Sequence, residues 1–232
     1  MSGLSWLTKI EDLSYVARQI VISAMFGDGG FDSYSPSYPN TVGFRVRHSA
    51  PQGDYALWKM AKIAELSPRS CVMNSDGTIW VKTRSAPLFR DIRSRLYQGG
   101  KKRWPSPEWA AQLDHLGFLL YILDDGTRIT NNRTSIQFIT RRPSLPSLKT
   151  TARIWEDRLG VSGSVRQHNR RKKRHPSRYF RLPRATVAKL LPMWQRLFDE
   201  HGLPECMRYK VVNDGRSPEA RKDYVTAKTT ES

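Results

Sequence analysis

Two apolar runs, each closed by an acid and a glycine and set one repeat length apart, constrain this chain more than any other feature. The first spans Ser14 to Gly29, where Tyr15, Val16, Ile20, Ile22, Met25 and Phe26 lead to Gly27-Asp28-Gly29. The second spans Leu113 to Gly126, where Leu116, Phe118, Leu119, Leu120, Tyr121, Ile122 and Leu123 lead to Asp124-Asp125-Gly126. Apolar residues fall on nearly every side of both, so each is expected to be a helix buried all round. One apolar helix ending in Asp-Gly is common, the glycine being a stop and the acid a turn. Two of them, with Asp28 and Asp125 separated by 97 residues, mark an internal repeat.

The segments downstream of the two runs match in outline. In the first half Val42, Phe44, Val46 and His48 alternate with Arg45 and Arg47, the period of a strand with one apolar face. A helix is expected over Tyr55 to Leu66. Next comes a hairpin, in which Cys71 to Met73 and Thr78 to Thr83 flank Asn74-Ser75-Asp76-Gly77, a strong turn signal. The closing helix is Ala86 to Tyr97. The second half supplies Ile129, a strand over Ser135 to Thr140, a helix over Ser147 to Leu159, a hairpin from Val161 to Arg166 and Arg178 to Leu182, and a helix over Ala185 to Phe198. Helix, strand pair, helix, hairpin, helix is therefore written twice. The expected fold is α+β, two pseudo-symmetric αββαββα repeats at 1–108 and 109–232, dividing near Pro105 to Gln112. Trp58, Trp80, Trp109, Trp155 and Trp194 are core candidates.

Lys and Arg number 39 against 21 acids, a net charge of +18, so a polyanion is the expected partner. A hydrophobic content of 38% excludes a disordered basic tail, and a mean hydropathy of −0.59 with interrupted apolar runs excludes a membrane span. The N-terminus shows no basic segment followed by an apolar stretch, so the expected location is intracellular, an organelle (mitochondrion or chloroplast) or the bacterial cytoplasm, not secreted. Cys71 and Cys206 are too far apart for a zinc knuckle, and His115, His168, His175 and His201 lack ligand spacing.

Two buried helices that each end in a carboxylate can bring Asp28 and Asp125 together across a pseudo-twofold axis. Like charges repel there, and helix C-termini are already electronegative. A divalent cation offsets both, and hard oxygen ligands favour Mg²⁺, which completes its shell with water and phosphate oxygens. In a basic protein this is an arrangement for hydrolysing a nucleic-acid backbone.

The two motifs, Val21-Ile22-Ser23-Ala24-Met25-Phe26-Gly27-Asp28-Gly29 and Phe118-Leu119-Leu120-Tyr121-Ile122-Leu123-Asp124-Asp125-Gly126, resemble those of the LAGLIDADG homing endonucleases, single-chain two-motif type. The resemblance covers nearly the whole chain. It implies that each repeat carries an antiparallel sheet, the two forming a saddle over duplex DNA, and that Asp28 and Asp125 are the catalytic, metal-binding acids, with backbone carbonyls at Gly27 and Asp124 as further ligands. It implies Mg²⁺ as cofactor, Mn²⁺ as a substitute and Ca²⁺ as supporting binding without cleavage. Gly100-Lys101-Lys102-Arg103-Trp104-Pro105 and Pro204-Glu205-Cys206-Met207-Arg208-Tyr209-Lys210 resemble the segments that carry active-site lysines, which assigns that role to Lys102 and Lys210. Val46-Arg47-His48-Ser49-Ala50-Pro51-Gln52 resembles the strand end that holds water near the metals, which assigns His48, with Thr140 its weaker counterpart.

The expected DNA-binding residues are Arg45, Arg47, Lys82, Arg84, Gln137, Arg141, Arg166 and Arg178 on the strands and their ends, with Arg170, Arg171, Lys172 and Lys173 in the loop of the second hairpin. Arg can read guanine and Gln adenine in the major groove. The implied activity is that of an intron-encoded, monomeric endonuclease cutting both strands of a long asymmetric site with 3′ overhangs. An RNA maturase with intron RNA as partner, or a non-cleaving regulator on the same fold, is the alternative. A ribosome-associated basic protein would instead bind without sequence preference.

Overall fold

The computed structural model describes residues 4–33, 41–73, 77–129, 135–140, 143–168 and 177–211. The first repeat runs α1 (Tyr15–Phe26), β1 (Gly30–Ser33), β2 (Val42–His48), α2 (Gly53–Lys62), β3 (Arg69–Met73), β4 (Ile79–Ser85), α3 (Pro87–Leu96). A two-stranded ribbon, β5 (Tyr97–Gln98) and β6 (Lys101–Lys102), and a short helix α4 (Pro107–Gln112) lead to the second repeat. That repeat runs α5 (His115–Asp125), β7 (Gly126–Ile129), β8 (Ser135–Thr140), α6 (Leu145–Leu159), β9 (Ser164–His168), β10 (Ser177–Leu182), α7 (Arg184–Glu200), with a 3-10 helix over Glu205–Lys210 after it. The expected order is thus present twice, and the expected division at residues 108 and 109 falls inside α4.

Each repeat holds a four-stranded antiparallel sheet, with strand orders β1-β2-β4-β3 and β7-β8-β10-β9. The alternation of β2 and β4 sends Val42, Phe44, Val46, His48, Ile79 and Val81 inward against the helices. Phe31, Phe44 and Phe89 pack with ring centroids 5.5 to 6.1 Å apart in the first core. Phe118, Tyr121, Phe138, Trp155 and Phe180 fill the second, with Tyr121 stacked on Phe138 at 4.5 Å.

α1 and α5 form the seam between the repeats, and both are buried over most of their length, down to Gln19 and Ser23 of α1 and every residue from Leu116 to Leu123 of α5, while Tyr15 in the first turn of α1 is 46% exposed. Polar contacts register their starts. Asp114 caps α5 by accepting from the Gly117 N–H at 2.9 Å and also accepts from the Tyr15 hydroxyl at 2.6 Å. Gln19 donates to the Gln112 carbonyl at 3.2 Å and accepts from the Asp114 N–H at 3.3 Å. The helices therefore run side by side in one direction, and their C-terminal ends arrive together.

Candidate functional site

Where the seam helices end, Gly27 and Asp125 are in close approach. A Cβ built on Gly27 would lie 2.7 Å from Asp125 Oδ2, so any side chain there would displace the carboxylate. Asp28 is exposed and Asp125 partly buried. Burial first, then the charges of Asp28 and Asp124, push the Asp125 carboxyl up to about 7, while Lys102 and Lys210 pull it down. This is the behaviour of a desolvated acid beside two others, with lysines that offset the effect only in part.

Two lysines sit on the helix ends in matching fashion. Lys102 Nζ donates to the carbonyls of Ala24 (2.9 Å), Gly27 (2.6 Å) and Gly29 (2.6 Å). Lys210 Nζ donates to those of Leu123 (2.5 Å), Asp124 (3.4 Å) and Ile122 (3.5 Å). Each ammonium caps carbonyls at and just beyond a helix C-terminus, where intrahelical donors run out, and opposes the dipole there. Lys102 reaches α1 because β5 turns back into β6 through Gly99 and Gly100, both with positive φ (54° and 72°), the geometry of a tight two-residue hairpin. The expected ligand carbonyls of Gly27 and Asp124 thus each already accept a lysine proton, leaving a second lone pair on each oxygen.

Beside the acids lies a buried polar group whose key member is Lys59 of α2. Its side chain is fully buried and makes an ion pair with Asp124 Oδ1 at 2.6 Å, the carboxylate being only 5% exposed. Burial pushes the Asp124 carboxyl up, but Lys59, then His48, outweigh it and hold it below the ordinary value. Lys59 Nζ also lies 4.5 Å from the Tyr55 ring centroid, and the His48 ring 5.0 Å from the same ring. Burial, then Lys59, push His48 down to about 3, so the imidazole is neutral at physiological pH. His48 Nε2 is buried without a protein partner, and a small cavity beside it is lined by Asp28, Gly29, Val46, Arg47, His48, Lys59 and Asp124. A buried polar atom facing such a cavity is a place for water.

The described residues contain no group of three or more His, Cys, Asp or Glu side chains that could hold an ion by themselves. Asp28 and Asp125, near enough for the charge of the first to raise the carboxyl of the second, nevertheless fit Mg²⁺, which takes few protein ligands and fills its shell from water and phosphate. Gly27 makes way for the Asp125 carboxylate.

The outer face of the first sheet is basic. Arg45, Arg47, Lys82 and Arg84 emerge there beside Trp80, whose ring lies 4.5 Å from the Arg45 guanidinium, 5.3 Å from that of Arg47 and 5.8 Å from Lys82 Nζ. Arg45 is also paired with Asp32 at 2.5 Å. On the second sheet Gln137, Arg181 and Ser164 stand in register across β8, β10 and β9, and Tyr179 is opposite Arg166.

A profile of the LAGLIDADG DNA endonuclease family matches residues 18–186, from the first motif helix into α7. The chain belongs to that family. The LAGLIDADG fold extends to solved structures: the homing endonuclease I-WcaI bound to its DNA recognition sequence superposes with a TM-score of 0.64 at 16% identity, over 90% of this chain and 95% of that one. I-DmoI in complex with DNA and Ca superposes with a TM-score of 0.50 at 13% identity, over 84% and 98%. Among curated sequences, RecA proteins of Mycolicibacterium chitae (32% identical over 108 residues, 47% of this chain and 25% of that protein) and Mycolicibacterium flavescens (30% over 119 residues, 51% and 28%) are relatives. The chain spans about a quarter of the length of the curated relatives it matches.

The LAGLIDADG motifs thus bring together Asp28, Asp125, Lys102, Lys210, Gly27, Asp124 and, at the end of β2, His48. Thr140 closes β8 opposite Arg178 in register. Arg178 stands apart from the basic outer face. It has the same strand parity as Phe180 and Leu182, its Nη1 donates to the Pro143 carbonyl at 2.7 Å, and it braces the start of α6 while Arg181 and Tyr179 take the outer face. Trp80, expected in the core, belongs to the outer face with the arginines. Arg141, Arg170, Arg171, Lys172 and Lys173 lie outside the described residues. Sequence reasoning missed Lys59, which reads as one more cation on an amphipathic helix, and Arg181, which the parity of Phe180 and Leu182 would have revealed.

Proposed function

We propose that this chain is a site-specific DNA endonuclease that, as a monomer, hydrolyses one phosphodiester bond in each strand of a long, asymmetric duplex target and leaves short 3′ overhangs. The observation that carries the reading is the convergence of Asp28 and Asp125 at the ends of paired helices, with Gly27 stripped of a side chain to admit the second carboxylate. Asp28 and Asp125 would hold a divalent cation, Mg²⁺ by preference, which when bound would activate water and stabilise the leaving oxygen. The chain's own groups do the rest. Asp28 and Asp125 provide the ligands, and Lys102 and Lys210 hold the helix ends while placing positive potential where charge builds on the phosphate. Neutral His48 can accept a hydrogen bond from a water in the cavity it lines and so orient it, burial and Lys59 keeping the imidazole from taking the proton.

The basic outer faces of the two sheets support a duplex partner, and their different side chains, Arg45, Arg47 and Trp80 against Gln137, Arg166 and Arg181, support an asymmetric target. I-WcaI, on the same fold, is bound to its DNA recognition sequence. The test uses DNA carrying candidate intronless junctions, in Mg²⁺ and in Ca²⁺, with the wild type, Asp28→Asn and Asp125→Asn. Discrete double-strand cutting in Mg²⁺, lost in both variants while binding in Ca²⁺ persists, is expected. Tight binding without cutting by the wild type overturns the proposal in favour of a maturase or regulator.

A further inference from the structure

Among the described residues the buried pair of Lys59 and Asp124 has no twin, and the reason is steric. Aligning the motifs sets Gly27 against Asp124, and aligning the strand ends His48 and Thr140 sets Lys59 against Thr151. Thr151 is fully buried but is a neutral hydroxyl that accepts from Trp104 Nε1 at 3.0 Å. A carboxylate at Gly27 would have to start from a Cβ 2.7 Å from Asp125 Oδ2. The ion pair can therefore be built at one motif end only.

Its location gives the asymmetry a consequence. Lys59 belongs to α2 of the first repeat, whereas Asp124 ends α5 of the second and immediately precedes Asp125. Asp124 is held twice, by its carboxylate from Lys59 and by its carbonyl from Lys210. Asp28 has neither support from a neighbouring side chain at Gly27 nor burial. A fully desolvated ion pair is a poor source of stability, since apolar residues of similar volume do as well or better. What it does supply is a fixed direction for the peptide that carries Asp125.

We propose that each acid anchors the cut in one strand and that Lys59 is a positioning residue for the cut anchored by Asp125, acting through Asp124 to orient it, so that the two strands are cut at centres of unequal construction. The inference rests on the endonuclease reading above. Removing the pair slows one strand selectively.

The experiment takes wild type, Lys59→Met, Asp124→Ala and the double variant Lys59→Met/Asp124→Ala. The probe is a duplex recovered by the wild type from randomised DNA in Ca²⁺, end-labelled on either strand. The single variants should melt lower, each leaving a buried charge unpaired, and the double variant should recover the wild-type melting temperature. Ca²⁺-dependent affinity for the duplex should be retained in the double variant, yet the ratio of its two strand-cutting rates should change by about tenfold or more, with nicked DNA accumulating and the same strand slowed in every variant. A double variant of native melting temperature that cuts both strands in the wild-type ratio, or slows both equally, overturns the inference and leaves the endonuclease reading standing. A wild type that binds the selected duplex and never cuts it overturns both.

Discussion

Replacing Asp125 with asparagine should stabilise the metal-free protein, and increasingly so as pH rises. The folded chain holds this carboxyl to about 7 against an ordinary value of 3.8, first because it is desolvated and then because Asp28 and Asp124 are near. A raised carboxyl pKa means that the folded state binds the proton more tightly than the unfolded state, so stability falls as pH climbs from about 3.8 to about 7 and is level above that. At about 1.4 kcal/mol for each pH unit, the loss comes to roughly 4 kcal/mol, a large share of the stability of an ordinary domain. Asparagine matches the protonated acid in shape and carries no charge, so the variant escapes the loss. Urea unfolding in EDTA at several pH values between 4 and 8 checks this. Carboxylates remote from the site contribute equally to both proteins and cancel in the difference, whereas Asp28 and Asp124 feel the loss of the Asp125 charge and belong to it. The stability difference should be small near pH 4 and reach on the order of 4 kcal/mol at pH 8, in favour of the variant. A difference that does not vary with pH, or one that favours the wild type at pH 8, would refute the claim that the site concentrates uncompensated negative charge. Adding Mg²⁺ should reverse the ranking, because only the wild type has both carboxylates to bind it.

Gly27→Ala should abolish cutting and leave Ca²⁺-dependent DNA binding intact, because its Cβ would stand 2.7 Å from Asp125 Oδ2; an active variant on a cleavage gel would show that the carboxylates need no such approach. Lys102→Ala should lower stability by on the order of 2 kcal/mol, since three α1-end carbonyls lose their shared donor, and a denaturation midpoint equal to wild type would contradict that role. Trp80→Leu should relax base preference where the first sheet meets DNA while leaving the salt dependence of binding unchanged, because the ring orients Arg45 and Arg47 and carries no charge; a panel of single-base-pair substitutions in the target reads this out, and an unaltered preference profile refutes it.

The two motif helices were legible because a helix buried on all sides needs apolar residues on all sides, and nothing else explains Leu116 to Leu123. Strand β1 was not. Gly30-Phe31-Asp32-Ser33 has one apolar residue and no visible alternation, and it is a strand because β2 pairs with it, Phe31 opposite Phe44. The ribbon of β5 and β6 was likewise hidden in a basic linker. Two residues per strand carry no period, so the fold-back of Lys102 onto α1 through Gly99 and Gly100 was not legible in the spacing, and only the family resemblance placed Lys102 at the site.

Local chemistry written along the chain was sufficient for the twofold repeat, the order of elements and the paired acids, since each depends on spacing and on residue type over a few turns; the two lysines came only from the resemblance to the LAGLIDADG family. Partnership across the seam was a different matter. That Lys59 is buried against Asp124, that His48 is neutral, that Arg178 turns inward and Arg181 outward, and that Gly27 makes way for Asp125 all depend on which surfaces meet when two repeats close on each other. Burial and charge proximity are properties of that closure. A sequence supplies the groups, but their desolvation and mutual distances, which set their chemistry, exist only once distant segments are packed.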